Sequence, residues 1–294
     1  MAFLVLLITL GCYKLLELRV PRSYDRWFFR WADKVATWAD QGLPRMLLTL
    51  LIPIAIIGWL LSLLEDGLFG LLGVALHALL LFYALGRDNL LRCTDEYLER
   101  WRSEDIQATF HFAAEHFDVD QDFAADDLAS LQENVRAGIL YQWFEQVFLV
   151  LFWYLLAGPM MALFIRLICL YDQWLKSRDA EVTPLRLLHA LEWLPVRVLG
   201  FTFAVAGNFA RCFQSWVDAI FSWDKPTGQV LNSAGLAALG VCSICYDEEN
   251  AAQPATIDYA QVRSEYEQEI TMIQDLMIRS LVVWLVIMAV IAIS

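Results

Sequence analysis

The chain has 294 residues, of which 59% are hydrophobic and 19% are charged. Soluble domains carry about a quarter charged residues, and the apolar residues here fall into long blocks. The formal net charge of −13 argues against a nucleic-acid partner, because phosphate contacts need a basic surface. We therefore expect an all-α, polytopic integral membrane bundle with helical polar segments and the lipid bilayer as its first partner.

The N-terminal segment, residues 1–45, is expected to contain a short apolar helix followed by a basic amphipathic stretch. Ala2 to Tyr13 is free of charge but short for a membrane span. It lacks the basic start and the small-residue cleavage site of a signal peptide. The bases that follow are Lys14, Arg19, Arg22, Arg26, Arg30, Lys34 and Arg45.

Residues 46–86 are predicted to form a transmembrane hairpin. Met46 to Leu64 is a run of nineteen uncharged residues, long enough to cross a hydrocarbon core of about 30 Å. Glu65 and Asp66 form an acidic turn, and a second apolar run extends from Gly67 to Gly86.

Residues 87–137 are predicted to be an acidic helical loop. Asp118, Asp120 and Asp122 imitate the start of a calcium loop, but its required glycine and bidentate glutamate are missing. Cys242 and Cys245 form a single CxxC pair, which is weak evidence for zinc. We therefore expect no metal and no cofactor.

Residues 138–209 are predicted to be charged membrane helices. A Gly158-Pro159 break separates two apolar runs into a second hairpin, and a third run contains Pro195. Proline removes a backbone donor and crowds the preceding turn, so we expect a broken helix there. Residues 210–275 are expected to be a polar helical segment on an undetermined side of the membrane, and residues 276–294 a C-terminal transmembrane anchor.

Ionisable side chains inside these runs are the candidate ligand-pocket residues. A charge at the centre of a membrane helix costs roughly 2.5–3.5 kcal/mol and therefore faces a bundle interior or a wet cavity. With an adjoining proline and asparagine, the candidates are Glu145, Arg166, Asp172, Glu192, Pro195, Arg197 and Asn208. The three acids and two bases nearly neutralise one another, so structural ion pairs and interfacial snorkelling are an alternative to a ligand pocket. No residue is assigned a catalytic role.

Membrane orientation follows from the placement of Lys and Arg. The bases concentrate in segment 14–45 and at the start of segment 87–137, whereas the acidic turn between the first two spans has none. Both basic segments are therefore predicted to be cytoplasmic.

One motif, Glu192-Trp193-Leu194-Pro195-Val196-Arg197, resembles the D/N-W-x-P-x-R run of AmpE and of the related CobD/CbiB membrane proteins of cobalamin biosynthesis. Val150-Leu151-Phe152-Trp153 and the following Gly158-Pro159 resemble that superfamily's P-L-F-W run and glycine-rich hairpin, with valine in place of the first proline. The order of segments runs parallel over nearly the whole chain.

The two branches of this superfamily imply different functions. The AmpE branch implies a bacterial inner-membrane protein with a regulatory or signalling role in β-lactamase induction and cell-wall recycling, and a small anionic ligand or a cytoplasmic protein as its partner. The CobD/CbiB branch implies an amide-forming synthase, whose motif aspartates fall on Glu145 and near Asp172. That branch's N-terminal D-P-x-x-x-H-P element is missing around Pro21, so a non-enzymatic role is favoured. A transporter is a third alternative, disfavoured because the hairpins show no internal repeat.

Overall fold

The computed structural model describes residues 25–39, 42–65, 71–85, 90–103, 105–117, 128–178, 186–220, 225–240 and 259–293. Regular structure within these ranges is entirely helical, which confirms the all-α class. The expected N-terminal apolar helix, the acidic run at 118–122 and the CxxC pair lie outside the described residues.

Among the described residues, four helices are long and apolar enough to cross a membrane, which confirms a multi-pass membrane protein. The spans are Leu43–Ser62, Leu131–Ala157, Arg186–Ala206 and Ser264–Ile287. A further apolar helix covers Ala75–Ala84 and is shorter.

The chain divides into two compact units. Unit 1 contains Met1–Asn89 and Glu145–Leu191. Its helices are α1 (Arg26–Trp38), α2 (Leu43–Glu65), α3 (Leu71–Ala84), α7 (Leu149–Ala157) and α8 (Pro159–Lys176), and α8 packs against each of the other four. A helix with apolar residues on most of its faces is expected at such a central position.

Unit 2 contains Leu90–Phe144 and Glu192–Ser294. Its helices are α4 (Leu90–Arg102), α5 (Ile106–His116), α6 (Leu128–Trp143), α10 (Phe209–Ile220), α11 (Thr227–Leu239) and α12 (Tyr259–Ile293). Helix α11 packs against α6, α10 and α12. The helix α9 (Arg186–Ala206) begins in unit 1 and ends in unit 2.

The predicted turn at Gly158-Pro159 is present between α7 and α8. Gly158 has φ +80° and ψ −171°, a conformation open essentially to glycine alone. Pro159 is the first residue of α8, where its missing N–H costs nothing. Helices α7 and α8 therefore pack as a helical hairpin. Only α7 belongs to one of the candidate membrane spans, so the expectation that α8 also crosses the membrane stays a prediction.

Helix α6 continues into α7 through a π-helical turn, Phe144–Phe148. The expected start of this span at Gly138 lies inside the helix, which begins at Leu128. A Cβ atom at Gly138 would overlap the carbonyl oxygen of Phe117. This glycine therefore allows the close approach of α6 to the end of α5.

Helix α12 begins at Tyr259, so the expected division at residue 276 does not coincide with a helix end. Neither glycine nor proline occurs between Tyr259 and Ile293. The polar and apolar halves therefore share one uninterrupted helix.

Candidate polar sites on the membrane helices

A buried ion pair of unit 1 joins Arg166 on α8 to Asp25, the residue before α1. The Arg166 Nη2 atom donates to Asp25 Oδ2 at 3.2 Å, and the Tyr83 hydroxyl donates to Asp25 Oδ1 at 3.0 Å. The two charged side chains are 7% and 1% exposed. Since Asp25 neutralises Arg166, the pair avoids most of the cost of an isolated buried charge.

Glu145 lies beside this pair on the π-helical turn. Its carboxyl group is within hydrogen-bond reach of the Cys169 side chain and in the electrostatic field of Arg166. A π-helical turn commonly marks a functional position in a helix. We call Asp25, Tyr83, Glu145 and Arg166 the Arg166 cluster.

The Nε atom of Arg166 is buried and lacks a hydrogen-bond partner among the described residues. A buried donor left in this way costs about 1–3 kcal/mol, and more when it is charged. The Arg166 cluster therefore contains one donor that an acceptor oxygen would satisfy.

Asp172 lies two turns further along α8 and is not part of this buried pair. Its carboxylate pairs with Lys176 at 3.2 Å, one turn further along the helix. The lysine is half-exposed, which is typical of a pair near a helix end. This contact is what we expect if Asp172 forms a structural ion pair and does not bind a ligand.

In unit 2, Glu192 is held by two hydroxyl groups. Tyr141 on α6 donates to Glu192 Oε1 at 2.9 Å, and Thr227 on α11 donates to Oε2 at 2.7 Å. Both oxygens of this buried carboxylate therefore accept hydrogen bonds. These two hydrogen bonds of Glu192 connect α9 to α6 and α11.

Arg197 is buried and bonded within its own helix. Its Nη1 atom donates to the Trp193 carbonyl oxygen at 2.8 Å, and its guanidinium carbon lies 4.2 Å from the centre of the Trp193 ring. The Trp216 indole on α10 donates to the Arg197 carbonyl oxygen at 2.7 Å. Asn208 is exposed beyond the end of α9, and its backbone N–H donates to Ala238.

The expected break at Pro195 does not occur, because α9 continues through this residue. Proline leaves the carbonyl of Leu191 without its usual helical donor. The indole Nε1 of Trp153 donates to that oxygen at 3.1 Å. The carbonyl that the sequence left open for a ligand is therefore occupied by a side chain of α7.

The sequence patterns missed the hydrogen-bonded partners of the charged candidates. Arg166 and Asp172 bond to Asp25 and Lys176, and Glu192 bonds to two hydroxyl groups. Asp25 could have been noticed as the acid directly before Arg26 in a basic segment, at the start of an amphipathic pattern. Nothing in the sequence indicates the hydroxyl partners of Glu192.

Two titratable groups outside the candidate spans, Tyr97 and Cys212, are buried in the helix packing. Burial raises the pKa of Tyr97 to about 12, although its contact with Tyr266 at 3.3 Å opposes the shift. Burial also raises the pKa of Cys212 to about 11, so this thiol is unreactive. The described residues contain no cluster of ligands suited to a metal ion.

Comparison with known proteins identifies relatives in two groups. Residues 1–248 match the model of the family described as regulatory signalling modulator protein AmpE. The chain is also similar to a cobalamin biosynthesis protein CobD of Stutzerimonas stutzeri, with 27% identity over 69% of this chain and 66% of the relative. A CobD of Chromobacterium violaceum is 26% identical over 65% of this chain and 61% of the relative.

The chain thus spans somewhat less than two thirds of the length of these curated relatives. No solved structure gives a significant match. The family model covers far more than half of the sequence, and the fold is a multi-pass helical membrane protein as the resemblance implies. The chain belongs to the AmpE family of regulatory signalling modulator proteins.

Proposed function

We propose that the protein is a regulatory protein of the bacterial inner membrane that acts in β-lactamase induction and cell-wall recycling. The observation that carries this proposal is the match of residues 1–248 to a family of regulatory signalling modulators. The spans supply the membrane location. Segments 14–45 and 87–137 are proposed to face the cytoplasm, where a protein partner would be reached.

The stimulus is proposed to be a small anionic molecule that binds at the Arg166 cluster. A guanidinium group matches a carboxylate in shape and charge, and the Arg166 Nε atom is a buried donor without a hydrogen-bond partner among the described residues. Because Asp25 already neutralises Arg166, a ligand would be held here by the Nε donor rather than by net charge. Each further negative charge on the ligand would be repelled by Asp25 and Glu145, because like charges at short range are costly. The ligand class is therefore a small monoanionic carboxylate.

The Glu192 contacts are proposed to be structural. Both oxygens of that carboxylate accept hydroxyl hydrogen bonds, so a ligand would have to displace a protein group. Arg197, which follows Glu192 on α9, is proposed as a separate anion-binding candidate of unit 2, since its guanidinium is positively charged inside a span.

The test compares two arginine variants in a bacterial strain that lacks this gene and carries an inducible β-lactamase. R166Q removes the proposed anchor, whereas R178Q removes an exposed arginine that pairs with Asp33. We expect R178Q to restore the wild-type induction response and R166Q to restore less than about a tenth of it, which corresponds to roughly 1.4 kcal/mol of lost ligand affinity. Normal induction by R166Q at normal protein levels would contradict the proposal.

A second measurement separates ligand binding from stability. Mass spectrometry of small molecules that co-purify with the detergent-solubilised protein should find a carboxylate in the wild type and in R178Q, and none in R166Q. R166K keeps the charge but lacks the Nε donor, so it should also lose the molecule while retaining the unfolding temperature better than R166Q. A large loss of stability in both variants, with no molecule in the wild type, would show that Arg166 only holds the fold together.

An amide-forming reaction in cobalamin biosynthesis is the second candidate function. The observation that favours it is the similarity to two proteins named CobD. In this case Glu145 would act as the general base towards an attacking amine. The test is growth of a strain that lacks its corrinoid synthase and carries this gene. Restored cobalamin synthesis that depends on Glu145 would replace the regulatory function, and failed growth would exclude the synthase.

A further inference from the structure

Three bases of α1 lie on one exposed face of this helix. Arg26, Arg30 and Lys34 are spaced four residues apart, so they follow one another along the helix surface. All three side chains are exposed, and none forms an ion pair within the described part of the chain. We call these residues the cationic face.

Tryptophans border the cationic face on one side. At about 100° per residue, Trp27, Trp31 and Trp38 project between the bases and the buried residues of α1. Trp27 is 41% exposed and Trp38 is 70% exposed. The order of bases, tryptophans and buried apolar residues around one helix is typical of a helix that lies in a membrane interface.

The opposite side of α1 packs against other helices of unit 1. Phe28, Ala32 and Val35 are buried, and α1 packs against α8. The Trp174 indole and the Arg178 guanidinium both donate to Asp33 Oδ1, at 2.9 and 2.6 Å. The cationic face is therefore held in one orientation.

The position of α1 along the chain places it at the end of a membrane span. The span on α2 begins at Leu43, a few residues after α1 ends at Trp38. Arg45 on α2 donates from Nη2 to the Ala39 carbonyl oxygen at 3.1 Å and closes this corner. The cationic face is thus close to the level at which lipid headgroups meet water.

We propose that the cationic face of α1 binds the headgroups of anionic phospholipids. Exposed bases next to a span attract an anionic leaflet by about 1 kcal/mol each, which is roughly a fivefold preference per base. The bordering tryptophans favour lipid over an acidic protein, because indole rings sit at the headgroup level of a bilayer. The α1 surface therefore distinguishes anionic from zwitterionic lipid.

In the experiment, the purified full-length protein is mixed with equimolar phosphatidylglycerol and phosphatidylcholine that have identical acyl chains. Native mass spectrometry then counts the lipids that remain bound. The variant R26Q/R30Q/K34Q removes the cationic face. The matched control R92Q/R186Q/K225Q removes three other exposed bases and changes the net charge equally.

We expect the wild type and the control to retain phosphatidylglycerol in excess, and the α1 variant to lose about tenfold or more of that preference. Equal preference in the α1 variant and the wild type would overturn the proposal, and so would an equal loss in the control. An acidic protein that requires the cationic face, with no lipid preference in the wild type, would also overturn it.

A salt titration of the wild type keeps the test valid if the α1 variant does not fold. At about 1 M salt the screening length falls to about 3 Å. The phosphatidylglycerol preference should then disappear from the wild-type protein. A preference that persists unchanged at this salt concentration would show that the bases do not cause it.

Discussion

Asp25 and Arg166 are separated by 141 positions in the sequence, yet each is the main neutralising partner of the other. Removing one member of a buried pair leaves an uncompensated charge, which costs about 3–5 kcal/mol. We therefore expect D25A to lower the free energy of unfolding by about that amount and D25A/R166M to lower it less. Thermal unfolding of the purified protein measures both changes.

The control for this pair is D275A, which breaks the exposed contact of Asp275 with Arg279 at 3.7 Å. Exposed ion pairs contribute about 0–1 kcal/mol, so this variant should unfold close to the wild-type temperature. A similar loss in D25A and D275A would mean that burial adds nothing to the Asp25–Arg166 contact.

The buried Tyr97 hydroxyl is expected to lower the free energy of unfolding at alkaline pH. Burial raises its folded-state pKa to about 12 from the usual 10.0. Below pH 10 both states keep the proton, and between pH 10 and 12 the unfolded state alone loses it. The raised pKa of Tyr97 therefore removes roughly 3 kcal/mol of stability across this window.

The variant Y97F isolates this contribution, because phenylalanine cannot ionise. Its unfolding free energy should fall less than that of the wild type between pH 10 and 12, in denaturant titrations at each pH. The difference in tyrosinate absorbance between the two proteins should show a transition near pH 12. A transition of Tyr97 near pH 10 would contradict the burial argument.

At the scale of a helix, the contact of Trp153 with the Leu191 carbonyl compensates for Pro195 in α9. W153F removes the donor and leaves a carbonyl without a partner, so we expect a loss of about 1–3 kcal/mol. P195A supplies a backbone N–H to the same oxygen. The double variant W153F/P195A should therefore be more stable than W153F in thermal unfolding, and strictly additive effects would contradict this coupling.

Local sequence patterns predicted the elements that depend on local chemistry. Gly158-Pro159 indicated the turn between α7 and α8, because its backbone preferences do not depend on distant residues. The continuity of α9 at Pro195 could not be predicted in this way. It depends on Trp153, and a pattern in one segment carries no information about which distant side chain contacts it.

In the candidate site, too, the sequence predicted what depends on one residue and not what depends on distant contacts. The charge of Arg166 in an apolar run was visible in the sequence, whereas its pairing with Asp25 depends on how α1 packs against α8. Similarly, Glu192 was identified by its charge, but Tyr141 and Thr227 are ordinary residues in the sequence. Charged positions were predictable and their partners were not.

At the scale of the whole molecule, the distribution of Lys and Arg predicts which side of the membrane each segment occupies. Ser62 lies near the end of α2, close to the acidic turn, and Ser103 follows α4 in the acidic loop. In a background without the six native cysteines, a membrane-impermeant thiol reagent applied to spheroplasts should label S62C. It should label S103C only after lysis.

The reverse labelling pattern would contradict the proposed orientation of segments 14–45 and 87–137. Reporter fusions after Asn208 and after Ser294 extend the map. Opposite reporter signals at these two positions would place residues 210–275 on the side of Asn208, with the C-terminal span crossing once. Matching signals would contradict a single C-terminal crossing.

Helix α12 has 35 residues and a length of about 52 Å. The hydrocarbon core of a bilayer is about 30 Å thick, so the helix continues well beyond it. In the first third of the helix, Glu267 contacts Arg102 and Glu269 contacts Arg136, which bond α12 to other helices of unit 2. An unbroken helix acts as a lever, and a tilt of about 10° moves its far end by about 9 Å. Membrane spans tilt when bilayer thickness changes. Such a change would therefore shift the N-terminal end of α12 and the helices that are bonded to it.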